Sequence, residues 1–106
     1  MIDFVKITTD LGINIEDFQM LLTEYFEQAK TLCDSLKETA QKSDVKNLLI
    51  HAHSLKGMSG NMGVESIREF ATQIEAAAKS DDLATCLKLI GECTKVLAEE
   101  EIEAMK

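Results

Sequence analysis

The feature that most constrains the fold is a helical spacing of apolar residues that no proline interrupts along the whole chain. Apolar positions recur at three- and four-residue intervals, which is the period of an amphipathic helix, and the regular alternation typical of a strand is absent. A chain of 106 residues suits one domain with one core. We therefore predict an all-α fold in which residues 1–106 form a single domain.

The first predicted helix is short. It runs from about Ile2 to Leu11 and stops at Gly12, a residue type that commonly ends helices. Its apolar residues are Ile2, Val5 and Phe4, and we expect them to lie across the end of the remaining helices as a lid.

Four longer amphipathic helices follow, and they pack most simply as an antiparallel up-down-up-down four-helix bundle. Their starts are marked by Asn14, by Ser43 or Asp44, by Gly63, and by Ser80 or Asp81. The predicted core comprises Phe18, Leu21, Leu22, Tyr25, Ala29, Leu32, Leu36, Ala40, Val45, Leu48, Leu49, Ala52, Leu55, Ser59, Ile67, Phe70, Ala71, Ile74, Ala78, Leu83, Leu87, Ile90, Cys93 or Thr94, and Leu97. Because acids at a helix C-terminus oppose the macrodipole, the end of the last helix, which contains residues 99–101, is expected to fray.

The second long helix places a histidine beside residues that lack side chains. Each interior glycine costs a helix about 1 kcal/mol relative to alanine, so Gly57 and Gly60 indicate that something large approaches His53. At about 100° per residue, His53 lies at the edge of the buried stripe, with Lys56 three residues on and within reach of the imidazole. Ile50, three residues earlier, faces away from the core and is a candidate for partner docking. An exposed imidazole is a nucleophile at neutral pH and can hold a covalent intermediate.

These residues resemble the motif of the histidine-containing phosphotransfer (HPt) domains of two-component phosphorelays. That motif is His-x-hydrophobic-Lys-Gly, followed by small residues and by a glycine ten positions after the histidine. The matching residues are His53, Leu55, Lys56, Gly57, Ser59, Gly60 and Gly63. The similarity continues into the next helix, through Ile67, Phe70, Ile74 and Glu75. Some members have glutamine at the position of Glu75, and this departure argues against a polar contact between Glu75 and the imidazole.

The resemblance implies a phosphorelay intermediate rather than an enzyme with its own ATP site. His53 would accept a phosphoryl group from a receiver-domain phosphoaspartate and pass it to the aspartate of another response regulator. Lys56 would stabilise the added charge, Gly57 would give access, and Gly60 and Gly63 would shape the helix end. The partners would be receiver domains of response regulators and a hybrid histidine kinase. No cofactor is expected in this chain, because Mg²⁺ would belong to the receiver.

Three alternatives remain open at this stage. The chain could be a helical interaction module that binds a partner through Ile50 and the glycine surface without covalent chemistry. It could be the HPt portion of a larger hybrid sensor kinase, although Met1 directly before the fold favours a free-standing protein. The histidine could also be phosphorylated directly by the ATP-bound domain of a kinase.

Spacing argues against two other kinds of site. His51 and His53 are two residues apart and point away from each other on a helix, whereas zinc motifs on helices use a four-residue spacing. His51 is therefore expected to be a partly buried flanking residue, and no metal site is predicted. The glycine run from Gly57 to Gly63 matches neither the dinucleotide fingerprint nor the P-loop.

Charge and cysteine usage bound the partners and the compartment. A net charge of -8 disfavours nucleic acid and acidic membranes as partners. Cys33, Cys86 and Cys93 show no Cys-x-x-Cys spacing and are predicted to be small core residues, as suits a reducing compartment. No segment has the pattern of a signal peptide or a membrane span. We expect a monomeric, cytoplasmic protein.

Overall fold

The computed structural model describes residues 4–105, which contain five helices and no strand. The helices are α1 (Phe4–Leu11), α2 (Ile15–Gln41), α3 (Val45–Met62), α4 (Glu65–Lys79) and α5 (Leu83–Ala104). In the four-helix bundle, α3 packs between α2 and α4, and α5 closes the ring by packing against α4 and α2. The predicted all-α bundle with a short extra N-terminal helix is confirmed. Because the ring has this order, α3 and α5 lie on opposite corners of the bundle.

The three turns between the bundle helices share one backbone geometry. Ser43, Gly63 and Asp81 each adopt a positive φ, of 57°, 71° and 57° respectively. In each turn the N–H of the following residue donates to the carbonyl five residues before it, at 2.8 to 2.9 Å. This is the Schellman arrangement, which satisfies carbonyl groups at a helix C-terminus. The same device therefore reverses the chain three times.

Side-chain caps begin three of the four bundle helices. Each cap accepts a hydrogen bond from the backbone N–H three residues later: Asn14 from Asp17 (2.8 Å), Asp44 from Asn47 (3.3 Å) and Asp82 from Thr85 (3.2 Å). The predicted starts at Asn14 and Asp44 are confirmed. The predicted start of the last helix at Ser80 or Asp81 is wrong, because Asp81 occupies the left-handed turn position and the cap falls one residue later.

The buried core lies close to the predicted stripes, with two displaced positions. Leu21 and Leu87 are 43% and 38% exposed, whereas Phe26 and Cys86 are fully buried. In each case the inward stripe runs along a slightly rotated face of the helix, so that a residue beside the predicted stripe fills the core. Several other predicted positions are only partly buried: Leu32, Val45, Leu49, Phe70 and Leu83. Thr94 is exposed, and its alternative, Cys93, is buried.

The short helix α1 packs through Ile7, which was not among its predicted packing residues. Val5 is 74% exposed, and Ile7 is buried instead. The side chain of Ile7 lies against Gly63 at the end of α3. Ile2 and the side chain of Phe4, also predicted to pack here, lie outside the described residues. Among the described side chains of α1, Ile7 is the one that is buried against the bundle.

The C-terminal end of α5 stays helical despite its acids. The helix continues through residues 99–101 to Ala104, so the predicted fraying is not observed. Lys30 of α2 pairs with Glu101 at 2.8 Å, and the hydroxyl of Ser66 donates to the buried carboxylate of Glu100 at 3.0 Å. These contacts with α2 and α4 tie the acidic end of α5 to the bundle.

The cysteines occupy the positions predicted for them. Cys33, Cys86 and Cys93 are buried free thiols in the core. Burial raises the pKa of the Cys86 thiol, which keeps it protonated and unreactive. Within residues 4–105, no helix combines the length and the apolar character that crossing a membrane requires.

Candidate phosphoacceptor site

His53 stands at the exposed edge of α3, as its spacing predicts. Its side chain is 75% exposed, while the adjacent Ala52 and the nearby Leu55 are fully buried. The Nδ1 atom of His53 lies 3.3 Å from Oε2 of Glu75, which projects from α4. The structure therefore shows the polar contact between Glu75 and the imidazole that the glutamine of some family members had put in doubt.

Glu75 also binds the lysine of the motif. Its second oxygen, Oε1, accepts a hydrogen bond from Nζ of Lys56 at 3.2 Å, and its side chain is only 13% exposed. Lys56 is thus linked to His53 through this carboxylate. Burial acts to raise the pKa of Glu75, but the hydrogen bond and charge of Lys56, with smaller contributions from Lys79 and His53, hold that pKa below its usual range. Glu75 is therefore ionised at neutral pH.

The charge state of Glu75 determines which ring nitrogen of His53 carries a proton. An ionised carboxylate can only accept hydrogen bonds, so Nδ1 must carry a proton to make this contact. In the neutral imidazole the other nitrogen, Nε2, then has a free lone pair. No hydrogen bond from the described residues engages Nε2. The site therefore presents one nucleophilic nitrogen on an exposed ring.

The two motif glycines nearest the site have different surroundings. At Gly57 an added Cβ would meet no atom within 4 Å, so packing inside the bundle does not require glycine there. At Gly60 an added Cβ would approach Cδ of Arg68, on α4, to 3.3 Å. The open surface at Gly57 is consistent with the predicted need for access beside His53, whereas Gly60 leaves room for the Arg68 side chain.

Ser59 and Gly63 support the helix rather than the imidazole. Ser59 is fully buried, and its hydroxyl lies 2.7 Å from the hydroxyl of Tyr25 on α2. The sequence analysis placed Ser59 and Tyr25 in the core but did not predict this hydrogen bond. The signal that could have indicated it is the presence of a hydroxyl on the inward face of each of the two helices. Gly63 ends α3 in the left-handed conformation. It also makes room for Ile7, since a Cβ there would approach Cγ1 of Ile7 to 2.9 Å.

The remaining predicted positions lie near His53 without contacting it. Ile50 is 52% exposed on the outer face of α3, as predicted, and His51 is partly buried. On the α2 side of this face, Leu32 and Met58 line an open groove of about 560 Å³. No group of three metal-binding side chains occurs in the part of the chain that the structure describes.

Comparison with known proteins identifies the family. The profile of the Hpt domain family matches residues 18–106, which contain most of α2, all of α3 to α5 and the whole site. The chain belongs to the Hpt domain family. Hpt domains are phosphocarriers of two-component phosphorelays, and those that serve as phosphorelay intermediates interact with the receiver domains of response regulators.

One curated relative gives a more specific comparison. The Hpt domain is 29% identical over 79 residues to the phosphorelay intermediate protein rdeA of Dictyostelium discoideum. The match covers 74% of this chain and 31% of rdeA, so the chain spans about a third of that relative. No solved structure matches the chain at a significant level.

Proposed function

We propose that this Hpt domain accepts a phosphoryl group on Nε2 of His53 from the phosphoaspartate of one receiver domain and passes it to the aspartate of another. The observation that carries the proposal is the exposed imidazole whose Nδ1 is held by Glu75 at 3.3 Å. This arrangement leaves Nε2 available to a partner.

The chemistry follows from the fixed proton. The lone pair of Nε2 attacks the phosphorus atom, and the bond between phosphorus and the aspartate oxygen breaks, so the partner's carboxylate leaves with the electron pair. Nδ1 keeps its proton throughout. The positive charge that develops on the ring is offset by the ionised carboxylate of Glu75. Attack by the carboxylate of a second receiver on the same phosphorus reverses these steps and regenerates the imidazole.

Lys56, Gly57 and Ile50 serve the partner complex in this proposal. One N–H of the Lys56 ammonium binds Glu75, and the others are available to the oxygens of the incoming phosphoryl group. Gly57 lets the partner's active site approach the ring. Ile50, which is half exposed, would be buried against the partner.

The rest of the reaction machinery would belong to the partner. Mg²⁺ and the acidic pocket would be supplied by the receiver domain, and this chain would contribute no cofactor and no ATP site. We take residues 1–106 as one Hpt domain that acts as a monomer in the cytoplasm. The three buried free thiols support a reducing compartment.

Intact-mass measurement after incubation with phosphorylated receiver domains tests the acceptor. We expect one added phosphoryl group on the native chain and none on the His53→Gln variant. The bond should be lost in mild acid and persist in base, as for a phosphoramidate. Helical content and thermal stability of His53→Gln should be nearly unchanged, because the exposed ring contributes little to the core.

His51→Gln is the matched control, since it changes the same residue type two positions away on the same helix. It should retain phosphoryl uptake. Label that persists on His53→Gln would refute the assignment. Absence of uptake by the native chain from any receiver domain would favour the alternative of a binding module without covalent chemistry.

A further inference from the structure

The helix that carries His53 has an unusual charge for this protein. The chain has 19 acidic and 11 basic residues, yet α3 contains no aspartate or glutamate between Val45 and Met62. Each of the other described helices contains at least one acid. The only formal charges on α3 are the ammonium groups of Lys46 and Lys56. In a chain with a net charge of -8, the helix that presents the phosphoacceptor therefore carries a net positive charge.

Lys46 lies on the same outward face as the acceptor. It precedes His53 by seven residues, which is two helical turns, so the two side chains differ by only about 20° around the helix axis. Ile50 lies between them along the axis, and all three are exposed. Lys46, Ile50 and His53 thus form one continuous strip, which we call the α3 strip.

Lys46 makes no ion pair in the described structure. Lys56 is paired with Glu75, but Lys46 has no acid within 4.0 Å and none three or four residues away in sequence. The nearby Asp44 is engaged in capping α3, where it accepts hydrogen bonds from both the backbone N–H and the side-chain amide of Asn47. The charge of Lys46 contributes to the lowered pKa of Asp44, but the two side chains form no ion pair, so the ammonium group can still bind a partner.

The position of Lys46 is unfavourable for the helix itself. It is the second residue of α3, and a positive charge in the first turn opposes the helix macrodipole. The aliphatic stem also buries nothing, because the residue is exposed. Neither helix stability nor packing accounts for a lysine at this position.

The charged residues on the two sides of the α3 strip differ. On the α4 side of the α3 strip, Lys79 lies close enough to Glu75 to lower the pKa of that carboxyl. On the α2 side, the grooves that border α3 are lined by Glu24 and Glu27. A partner that docks over His53 therefore meets positive charge at the start of α3 and negative charge toward α2.

We propose that the α3 strip, through Lys46, binds an acidic surface on the receiver domain beside its phosphoryl-bearing aspartate. This inference rests on the proposed function, which brings a carboxylate and its phosphoryl group to His53. Opposite charges across such an interface chiefly raise the association rate, and salt screens them. Lys46 thereby raises the rate at which the receiver domain docks.

Charge reversal at Lys46 tests the proposal against a matched control. Lys88, on α5 at the opposite corner of the bundle, is also exposed and without an ion pair in the described structure. Lys46→Glu and Lys88→Glu change the net charge equally. The probe is a receiver domain phosphorylated on its aspartate with acetyl phosphate. The measured quantity is the rate constant of transfer to His53, divided by the rate with phosphoramidate for the same sample.

At low salt we expect Lys46→Glu to slow transfer about tenfold relative to Lys88→Glu, and the difference to shrink several-fold at about 0.5 M salt. The melting temperature of Lys46→Glu should be equal to or above that of the native chain, because an acid suits the first turn of a helix.

The outcomes separate the two proposals. Equal rates for the two variants, or a loss that salt does not reduce, would refute the role of Lys46 while leaving His53 as the acceptor. A lowered melting temperature that accounts for the loss would also refute it, because it would assign Lys46 to stability. A native chain that takes no phosphoryl group from the receiver would refute the proposed function and this inference together.

Discussion

At the residue scale, one carboxylate organises the site. Glu75 binds Nδ1 of His53 with one oxygen and Nζ of Lys56 with the other. These contacts hold the pKa of Glu75 below its usual range. They therefore stabilise the folded state at pH values above about 4.3, the pKa of a glutamate in the unfolded chain. That contribution is lost as the pH falls through the lower folded-state value. At neutral pH the carboxylate is charged and keeps the ring in one orientation.

Replacing Glu75 separates its acceptor role from its charge. Glu75→Gln retains an oxygen that can accept from Nδ1, so phosphorylation of His53 by phosphoramidate should slow about threefold or less. Glu75→Leu removes the acceptor, and the loss of one hydrogen bond worth about 1 kcal/mol or more should slow the reaction at least about fivefold. Rates followed by intact mass decide the matter. Equal rates in Glu75→Leu and the native chain would contradict a positioning role.

At the scale of the elements, the turn after α3 explains why glycine is required there and not in the equivalent turns. Ser43 and Asp81 adopt the same left-handed conformation as Gly63, so the conformation alone does not demand glycine. The difference is Ile7, whose side chain occupies the space that a Cβ on Gly63 would need. Gly63 therefore serves two purposes, ending α3 and seating α1.

Gly63→Ala should lower the free energy of unfolding by about 2–4 kcal/mol, from left-handed strain and from the clash with Ile7. Gly12→Ala is the control, because Gly12 has φ +67° but no neighbour within 4 Å of its Cβ position. It should cost only about 1–2 kcal/mol. Urea unfolding measures both. If Ile7→Ala does not recover part of the loss in the Gly63→Ala background, the packing explanation is wrong.

The sequence predicts contacts within a helix better than contacts between helices. The spacing of His53, Lys56 and Gly57 follows from helical geometry, so the exposed ring and its neighbours could be placed in advance. The bond from Glu75 could not, because it depends on the rotation and height of α4 relative to α3. Leu87 was wrongly placed in the core for a similar reason. The helical spacing of apolar residues allows either Cys86 or Leu87 to face inward, and packing against the neighbouring helices selects Cys86.

At the scale of the whole molecule, the bundle separates stability from recognition. The core is shared by all four long helices, whereas His53 and its surroundings lie on the outer face of α3 and the adjoining edge of α4. Helix α5, on the opposite corner, contributes core residues such as Ile90 and Leu97 but none to the site. Substitutions on the outer face of α5 should therefore leave docking unchanged, which makes it a source of controls.

Gly57 tests this separation. Gly57→Gln should stabilise the protein by up to about 1 kcal/mol, because glycine is the poorer helix former and nothing lies within 4 Å of the new Cβ. Transfer from a phosphorylated receiver should nevertheless slow at least tenfold, since the side chain projects where the partner must approach. Gly91→Gln is the control: Gly91 lies in α5 with the same open surroundings.

Melting temperatures should rise in both glycine variants, and only Gly57→Gln should lose transfer. A Gly57→Gln protein that is well folded and transfers at the native rate would show that the glycine is not needed for access.

The exposure of His53 also limits how long the protein can hold a signal. A ring that is 75% accessible to a folded partner is equally accessible to water, and no described residue covers it. Under the proposed function, transfer to the next receiver domain competes with spontaneous hydrolysis of the phosphorylated histidine. The fraction of phosphoryl groups that are transferred before hydrolysis is therefore set by the concentration of the downstream receiver and not by the fold of the carrier.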